Sequence, residues 1–252
     1  MNLSMKQFFL AVILFFAIST LAAQTKQINH FNQIWGGYLN QTRLSKHWGF
    51  WAESQLRTHE NFVENVSVNL NRIGATYYIN DDTKITAGYA FINSFSPANG
   101  ANIATPEHRL WQQIQWHTKY PKIRLMQWLR VEERFRQKLK SPNELDNSFA
   151  FNYRVRYNFL MQVPLSKKMF EPKGLSFIFN DEVHVNFGKE IMYNTFDQNR
   201  FFLGLAYQTN KTSNLQIGYM NLFTQQPSGN VYRSLHVARV YYFHNLDLRK
   251  NK

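Results

Sequence analysis

Segment after segment of this chain sets apolar residues at every second position, with polar or charged residues between them. Successive side chains of a β-strand point to opposite faces. A two-residue period therefore describes strands that are greasy on one side and wet on the other. A closed barrel in a bilayer imposes that pattern on all of its strands at once, one set of side chains meeting hydrocarbon and the other a lumen. The expectation is an all-β fold, an antiparallel up-and-down transmembrane β-barrel of 10–12 strands.

Strands are predicted at 31–39, 47–57, 65–79, 83–93, 107–118, 122–135, 148–163, 175–187, 198–209, 213–224 and 234–246. Short polar connections at 41–46, 80–83, 119–122 and 210–213 carry Asn, Asp or Pro at most positions where a tight turn is needed. Longer ones at 58–64, 94–106, 136–147, 188–197 and 225–233 alternate with them, and 164–174 is intermediate. Outer-membrane barrels pair short periplasmic turns with longer external loops in this way. Eleven segments conflict with the even strand numbers of bacterial single-chain barrels. A further short strand near 24–30, or an end segment that does not cross, would give twelve or ten.

Lys6, the apolar run 8–21 and the small residues Ala22 and Ala23 read as a secretory leader, 1–23, cleaved after Ala23 to leave a barrel domain, 24–252. The chain has no Cys, which excludes lipid attachment at a Cys, disulfides, thiolate nucleophiles and Cys-zinc sites. The formal net charge is +13. An exported chain without a nucleic-acid motif has anionic lipid head groups rather than nucleic acid as its partner. Lys84, Lys119, Lys122, Lys167, Lys168 and Lys211 in the presumed periplasmic turns are either a solvated edge or contacts to that leaflet.

Alternation assigns the faces. Tyr153, Val155, Tyr157, Phe159, Met161 and Val163 share one side of their strand; Arg154, Arg156, Asn158 and Gln162 share the other. Within 65–79 the apolar phase shifts after Leu70, which points to a β-bulge near Asn71 and Arg72. The inward set is ionic: Glu53, Arg57, Arg72, Arg109, Arg130, Glu132, Arg134, Arg154, Arg156, Glu182, His184 and Arg200. Charges on the lipid face near the midplane cost about 2–4 kcal/mol each, so these must face water or one another. They form either a salt-bridged filling that braces the wall or an anion-selective passage. The excess of inward Arg over Glu favours small anionic solutes in the second case. Outward Trp among Trp35, Trp48, Trp51, Trp111, Trp116 and Trp128 would form interfacial girdles.

Two other function classes have residues to offer. A lipid hydrolase could use Ser234 and His236, two apart on one strand face, with Asn230 and Arg233 nearby. His184 beside Glu182 could make an acid–base pair. A soluble exported β-barrel or sandwich binding an apolar or anionic ligand is the third class. The histidines show no metal-ligand spacing, and no cofactor motif is present.

Certain stretches resemble a known family: Ile34-Trp35-Gly36-Gly37-Tyr38, Trp48-Gly49-Phe50-Trp51, Asn71-Arg72-Ile73-Gly74, Pro106-Glu107-His108-Arg109, Leu129-Arg130-Val131-Glu132-Glu133-Arg134-Phe135, Asn180-Asp181-Glu182-Val183 and Gln198-Asn199-Arg200. Together they resemble an uncharacterised outer-membrane β-barrel family, a domain of unknown function common in Bacteroidetes. The resemblance implies a closed barrel in the outer membrane and no particular activity. It also implies dependence on the outer-membrane assembly machinery, which often reads a terminal aromatic. Here Tyr241, Tyr242 and Phe243 are followed by Leu246, Leu248 and a basic tail.

Overall fold

The computed structural model describes residues 26–59, 65–95, 102–167 and 170–249. The expected leader, residues 60–64 and 96–101 of the connections 58–64 and 94–106, and Lys168 lie outside them. The strands are β1 (Gln27–Arg43), β2 (Trp48–Thr58), β3 (Val66–Tyr78), β4 (Thr83–Ser94), β5 (Thr105–Lys119), β6 (Arg124–Ser141), β7 (Glu144–Pro164), β8 (Leu175–Phe187), β9 (Phe196–Gln208), β10 (Ser213–Gln225) and β11 (Val231–Asp247). They form one closed barrel in which every strand lies beside its neighbours in sequence.

The expected ten or twelve strands are corrected to eleven. Alternating up and down, an eleventh strand must point the same way as the first, so the ring can shut only through a parallel pair. β1 and β11 supply it, in register from Gln27↔Val231 to Arg43↔Asp247. Of the candidate extra strand near 24–30, residues 27–30 are the first rungs of β1, and 24 and 25 lie outside the described residues. Parallel ladders are slightly weaker per residue than antiparallel ones. This seam compensates by running the full 17 residues of β1. Backbone bonds continue it at both ends, from Gln27 N to Asn230 O (3.0 Å) and from Leu248 N to Arg43 O (2.8 Å).

Two other expectations are corrected. The connection 136–147 is no loop: β6 and β7, 18 and 21 residues long, pair as far as Ser141↔Glu144. Its polar surface belongs to a hairpin whose two faces are both wet. The bulge in β3 lies at Ser67, where Arg57↔Val68 is followed by Thr58↔Val66. The Ser67 hydroxyl donates to the Thr58 and Arg57 carbonyls (2.6 and 3.1 Å). Alternation then runs unbroken through Leu70 and Arg72, both buried inside. The apparent phase shift arises because Leu70 is apolar yet faces the lumen, while Asn71 faces out and accepts from Ser54 (2.9 Å).

Turn chemistry at the short-turn end is local. The Asn80 side-chain oxygen accepts from the amides of Asp82 and Thr83 (2.9 and 2.6 Å), and that of Asn210 from the amide of Thr212 (2.8 Å). Arg43 Nη1 donates to Asp81 Oδ1 at 2.6 Å and ties β1 to the β3–β4 turn. The same bond holds the Asp81 carboxyl below its ordinary pKa.

Large lumen aromatics need room against the wall. Gly74 and Gly88 face each other across β3 and β4, and Gly204 and Gly218 across β9 and β10. A Cβ on Gly88 would stand 2.0 Å from the Ile73 carbonyl oxygen, and one on Gly204 2.4 Å from the Phe202 ring. A Cβ on Gly74 would meet Trp111 at 2.9 Å. Gly88→Val is expected to destabilise the barrel by about 1–3 kcal/mol, the usual penalty for overpacking. Gly36→Val, which meets nothing within 4 Å, should be near neutral. Urea midpoints from the gel shift between folded and unfolded barrel check this, and equal midpoints for the two variants would refute it.

Candidate functional site in the barrel lumen

The inward side chains of β2 through β9 carry the charge. Each of the twelve residues singled out from the sequence points into the lumen. At the centre is Glu132, with no exposed surface. Its carboxylate lies 2.6 Å from Arg154 Nη2, 2.7 Å from Arg156 Nη1, 3.5 Å from both Arg72 and Arg109, and 3.7 Å from Arg130. Around it, Glu53 takes Arg72 (2.8 Å), Glu107 takes Arg109 (2.7 Å) and Arg134 (2.6 Å), and Glu182 takes Arg156. Asp197 takes Arg154 at 2.9 Å. His184 Nε2 faces Glu182 at 2.7 Å, and its Nδ1 accepts from Gln198 at 3.0 Å. This makes His184 a link in the network, with Nδ1 hydrogen-bonded and Nε2 lying beside the Glu182 carboxylate.

Indole rings flank guanidiniums that carboxylates reach only distantly or not at all. Arg130 lies 4.7 Å from both the Trp111 and the Trp128 ring centres, and its Nε and Nη2 donate to Gln113 (2.8 and 2.6 Å). Arg57 stacks over Trp35 at 3.7 Å. Each such contact is worth about 0.5–2 kcal/mol. Trp35, Trp111 and Trp128 are therefore lumen residues. Of the expected girdle tryptophans, only Trp48 and Trp116 take outward positions on their strands.

Charge does not balance. Among the described residues, the lumen carboxylates Glu53, Glu107, Glu132, Glu182 and Asp197 face Arg57, Arg72, Arg109, Arg130, Arg134, Arg154, Arg156, Arg200 and Arg239, with Arg136 bonded to the buried Asn152 (3.2 Å). The surplus collects on one side. Arg57 and Arg239 make no ion pair among the described residues, and Arg200 comes only within 3.8 Å of Glu182. Arg239 lies 3.3 Å from the Phe202 ring centre and donates weakly to Gln216 (3.4 Å).

The lumen has a second, apolar wall. Trp35, Leu39, Ile178, Phe202, Met220, Leu222, Leu235 and Val237 form a buried cluster facing inward from β8 through β11 and β1. Two cavities result. One of about 420 Å³ reaches the short-turn end, where Phe170, Lys211 and Thr212 line it. The other, about 240 Å³, lies toward the long-loop end. Glu53, Gln55, Arg72, Arg156 and Arg200 line both, forming the layer between them.

Ser234 and His236 take outward positions and do not form a relay. The Ser234 hydroxyl accepts from Asn221 (2.9 Å). His236 Nδ1 bonds Tyr219 OH (2.6 Å) and its Nε2 bonds His30 (3.2 Å), leaving no nitrogen to take a serine proton.

Sequence reasoning missed Glu107, Asp197, Arg136 and Arg239. Glu107 was readable, since it alternates with Arg109. Asp197 was hidden by a register shift after His184 that turns a loop-edge residue inward. Arg239 was hidden because its inward neighbours Val237 and Tyr241 are apolar and resemble a lipid face.

Glu132→Gln leaves five arginines around a neutral amide. Breaking a buried pair by removing one partner typically costs about 3–5 kcal/mol. The exposed Lys140–Glu144 pair, 2.8 Å apart, contributes under about 1 kcal/mol. Denaturant midpoints of Glu132→Gln and Lys140→Ala should differ accordingly, and similar midpoints would overturn this account of the network.

Comparison with solved structures returns two porins of low similarity. One is "KdgM porin in complex with disordered oligogalacturonate", 13% identical, TM-score 0.41, covering 73% of this chain and 81% of that one. The other is "NanC porin structure in rhombohedral crystal form", 12% identical, TM-score 0.44, covering 80% and 93%. No curated protein matches. A family model described as "Protein of unknown function (DUF2490)" matches residues 32–233, most of the barrel, and the chain belongs to that family.

Proposed function

We propose that this chain is a non-enzymatic outer-membrane β-barrel whose narrow lumen favours small anions. The observation that carries this reading is the surplus of lumen guanidiniums over carboxylates, nine arginines against five acids by the residues named above. Arginine stays charged at any physiological pH, so the surplus is a permanent positive potential inside a low-dielectric wall.

The outer wall supports placement in a bilayer. Ile73, Leu110, Leu129, Leu205, Ile217 and Val240 are exposed in its middle band. A water-soluble barrel would not present so large an apolar belt. Tyrosine–histidine pairs flank the band: Tyr89–His108 (2.6 Å) and Tyr219–His236 toward the long-loop end, Tyr38–His244 (3.0 Å) toward the short turns. Amphipathic rings belong at head-group level. This arrangement favours the membrane over a soluble exported binder.

A mainly structural barrel is the second reading. The charged layer between the two cavities favours it, because that layer interrupts the lumen. Planar bilayers under a tenfold KCl gradient separate the two. The pore reading expects a reversal potential of the sign set by chloride, reduced by Arg57→Gln/Arg200→Gln. Absence of conductance at all voltages would leave the structural role.

Orientation follows from short turns facing the periplasm. β1 then starts at the outer surface. Because the chain lacks Cys, single introduced thiols report sidedness cleanly. Gln27→Cys and Ser228→Cys should react with an impermeant maleimide on intact cells, and Asn210→Cys only after lysis. The opposite labelling would invert the barrel.

A further inference from the structure

The larger cavity has two unlike walls, and the proposed anion preference does not by itself explain why. We infer that this cavity is a binding pocket for an amphipathic anion, specifically a long-chain carboxylate. Its head would sit against Arg239 and Arg200 and its acyl chain would run along the apolar wall toward the short-turn mouth. The inference rests on the reading of an anion-favouring lumen and adds the ligand class.

Arg239 is the central observation. It is buried, with only 8% of its surface exposed, and it lines the cavity. Its Nε has no hydrogen-bond partner, and neither has that of Arg200. Leaving a buried charged donor unmet is unfavourable. Most other lumen arginines meet a carboxylate, whereas Arg239 lies against the Phe202 and Tyr241 rings and the cavity. Arg239, which makes no ion pair among the described residues, suits a carboxylate, and Arg200, 3.8 Å from Glu182, lines the same cavity.

A purely polar anion would use only half of the pocket. Leu39, Leu160, Met220 and Phe243 also line it, Leu39 and Phe243 on the mouth side of Arg239. Apolar surface facing an aqueous lumen is unfavourable by about 25 cal/mol per Å². An acyl chain would cover it. From Arg239 to Asn245 the strand advances roughly 20 Å at about 3.3 Å per residue, room for an extended chain. The volume of about 420 Å³ lies within the roughly 300–1,000 Å³ of small-molecule sites. Lys211 and Arg124 at the mouth would draw an anion inward.

Palmitate, hexadecanol and hexanoate are the probes, titrated against the folded barrel in a non-ionic detergent and read by native mass spectrometry. The expected result is one palmitate per barrel, bound at least tenfold more tightly than either hexadecanol or hexanoate, and weakened at least tenfold by Arg239→Gln. Hexadecanol binding as well as palmitate would remove the role of the arginines. Hexanoate binding as well would remove that of the apolar wall. If Arg239→Gln does not fold, a diazirine-bearing palmitate on the unmodified protein decides the matter. Label on Met220 or Phe243 supports the pocket, and label confined to Leu205 or Val240 on the outer wall overturns it. Chloride selectivity without palmitate binding would sink this inference alone, while loss of both would sink the pore reading with it.

Discussion

One fully enclosed carboxylate organises the middle of this barrel. Glu132 reaches toward arginines from β3, β5, β6 and β7, strands that are not all neighbours. Backbone hydrogen bonds join a barrel strand only to the strands beside it. The Glu132 cluster acts across the lumen and fixes how far apart the walls can stand. Transferring such an ion from water to an apolar interior costs several kcal/mol even after relaxation. The cost is offset here because each partner guanidinium is itself bound again: Arg156 to Glu182, Arg154 to Asp197, Arg72 to Glu53. A chain of alternating charges shares its desolvation among several attractive contacts, as an isolated pair cannot.

Closure imposes a second constraint. An odd up-and-down ring must contain a parallel seam, and a seam is where a ring is weakest. The sequence meets this with length, since β1 and β11 are both 17 residues and pair throughout. Side chains brace it on both faces. Tyr241 OH donates to Gln55 inside (2.8 Å), reaching past β1 to β2. Outside, the His30–His236 and Tyr38–His244 bonds cross the seam directly.

Much of the fold was legible because a barrel wall has only two faces and a period of two. Eleven segments were readable, and so were the short turns, where Asn80 and Asn210 carry their own hydrogen bonding. Loops were less legible. Residues 136–147 look like a loop because a hairpin that projects past the membrane has no greasy face to betray it. Strand parity was misjudged because nothing in a sequence states which strands meet at closure. Most inward charges on β2, β3 and β5 through β9 were readable because charge cannot face lipid. Arg239 was not, because reading an apolar residue as outward assumes a uniformly wet lumen, and β8 through β1 line theirs with Ile178, Phe202, Met220 and Val237.

That failed assumption is informative about the molecule. A barrel needing only to span a membrane gains nothing from apolar residues on its inner face, where they displace water without meeting hydrocarbon. Part of that surface packs on itself, as Phe202 does over the gap left by Gly204 and Gly218. The part lining the larger cavity is only partly covered, and Leu160 and Phe243 remain half-buried. On the opposite side the guanidiniums have carboxylates; on this side they have rings. Segregating charge from apolar surface around one lumen forgoes the ion pairs that a mixed arrangement would make for Arg57 and Arg239, and leaves Arg200 at 3.8 Å from Glu182. A structural filling would be better served by mixing. Segregation has a physical use when what enters the lumen is itself two-sided.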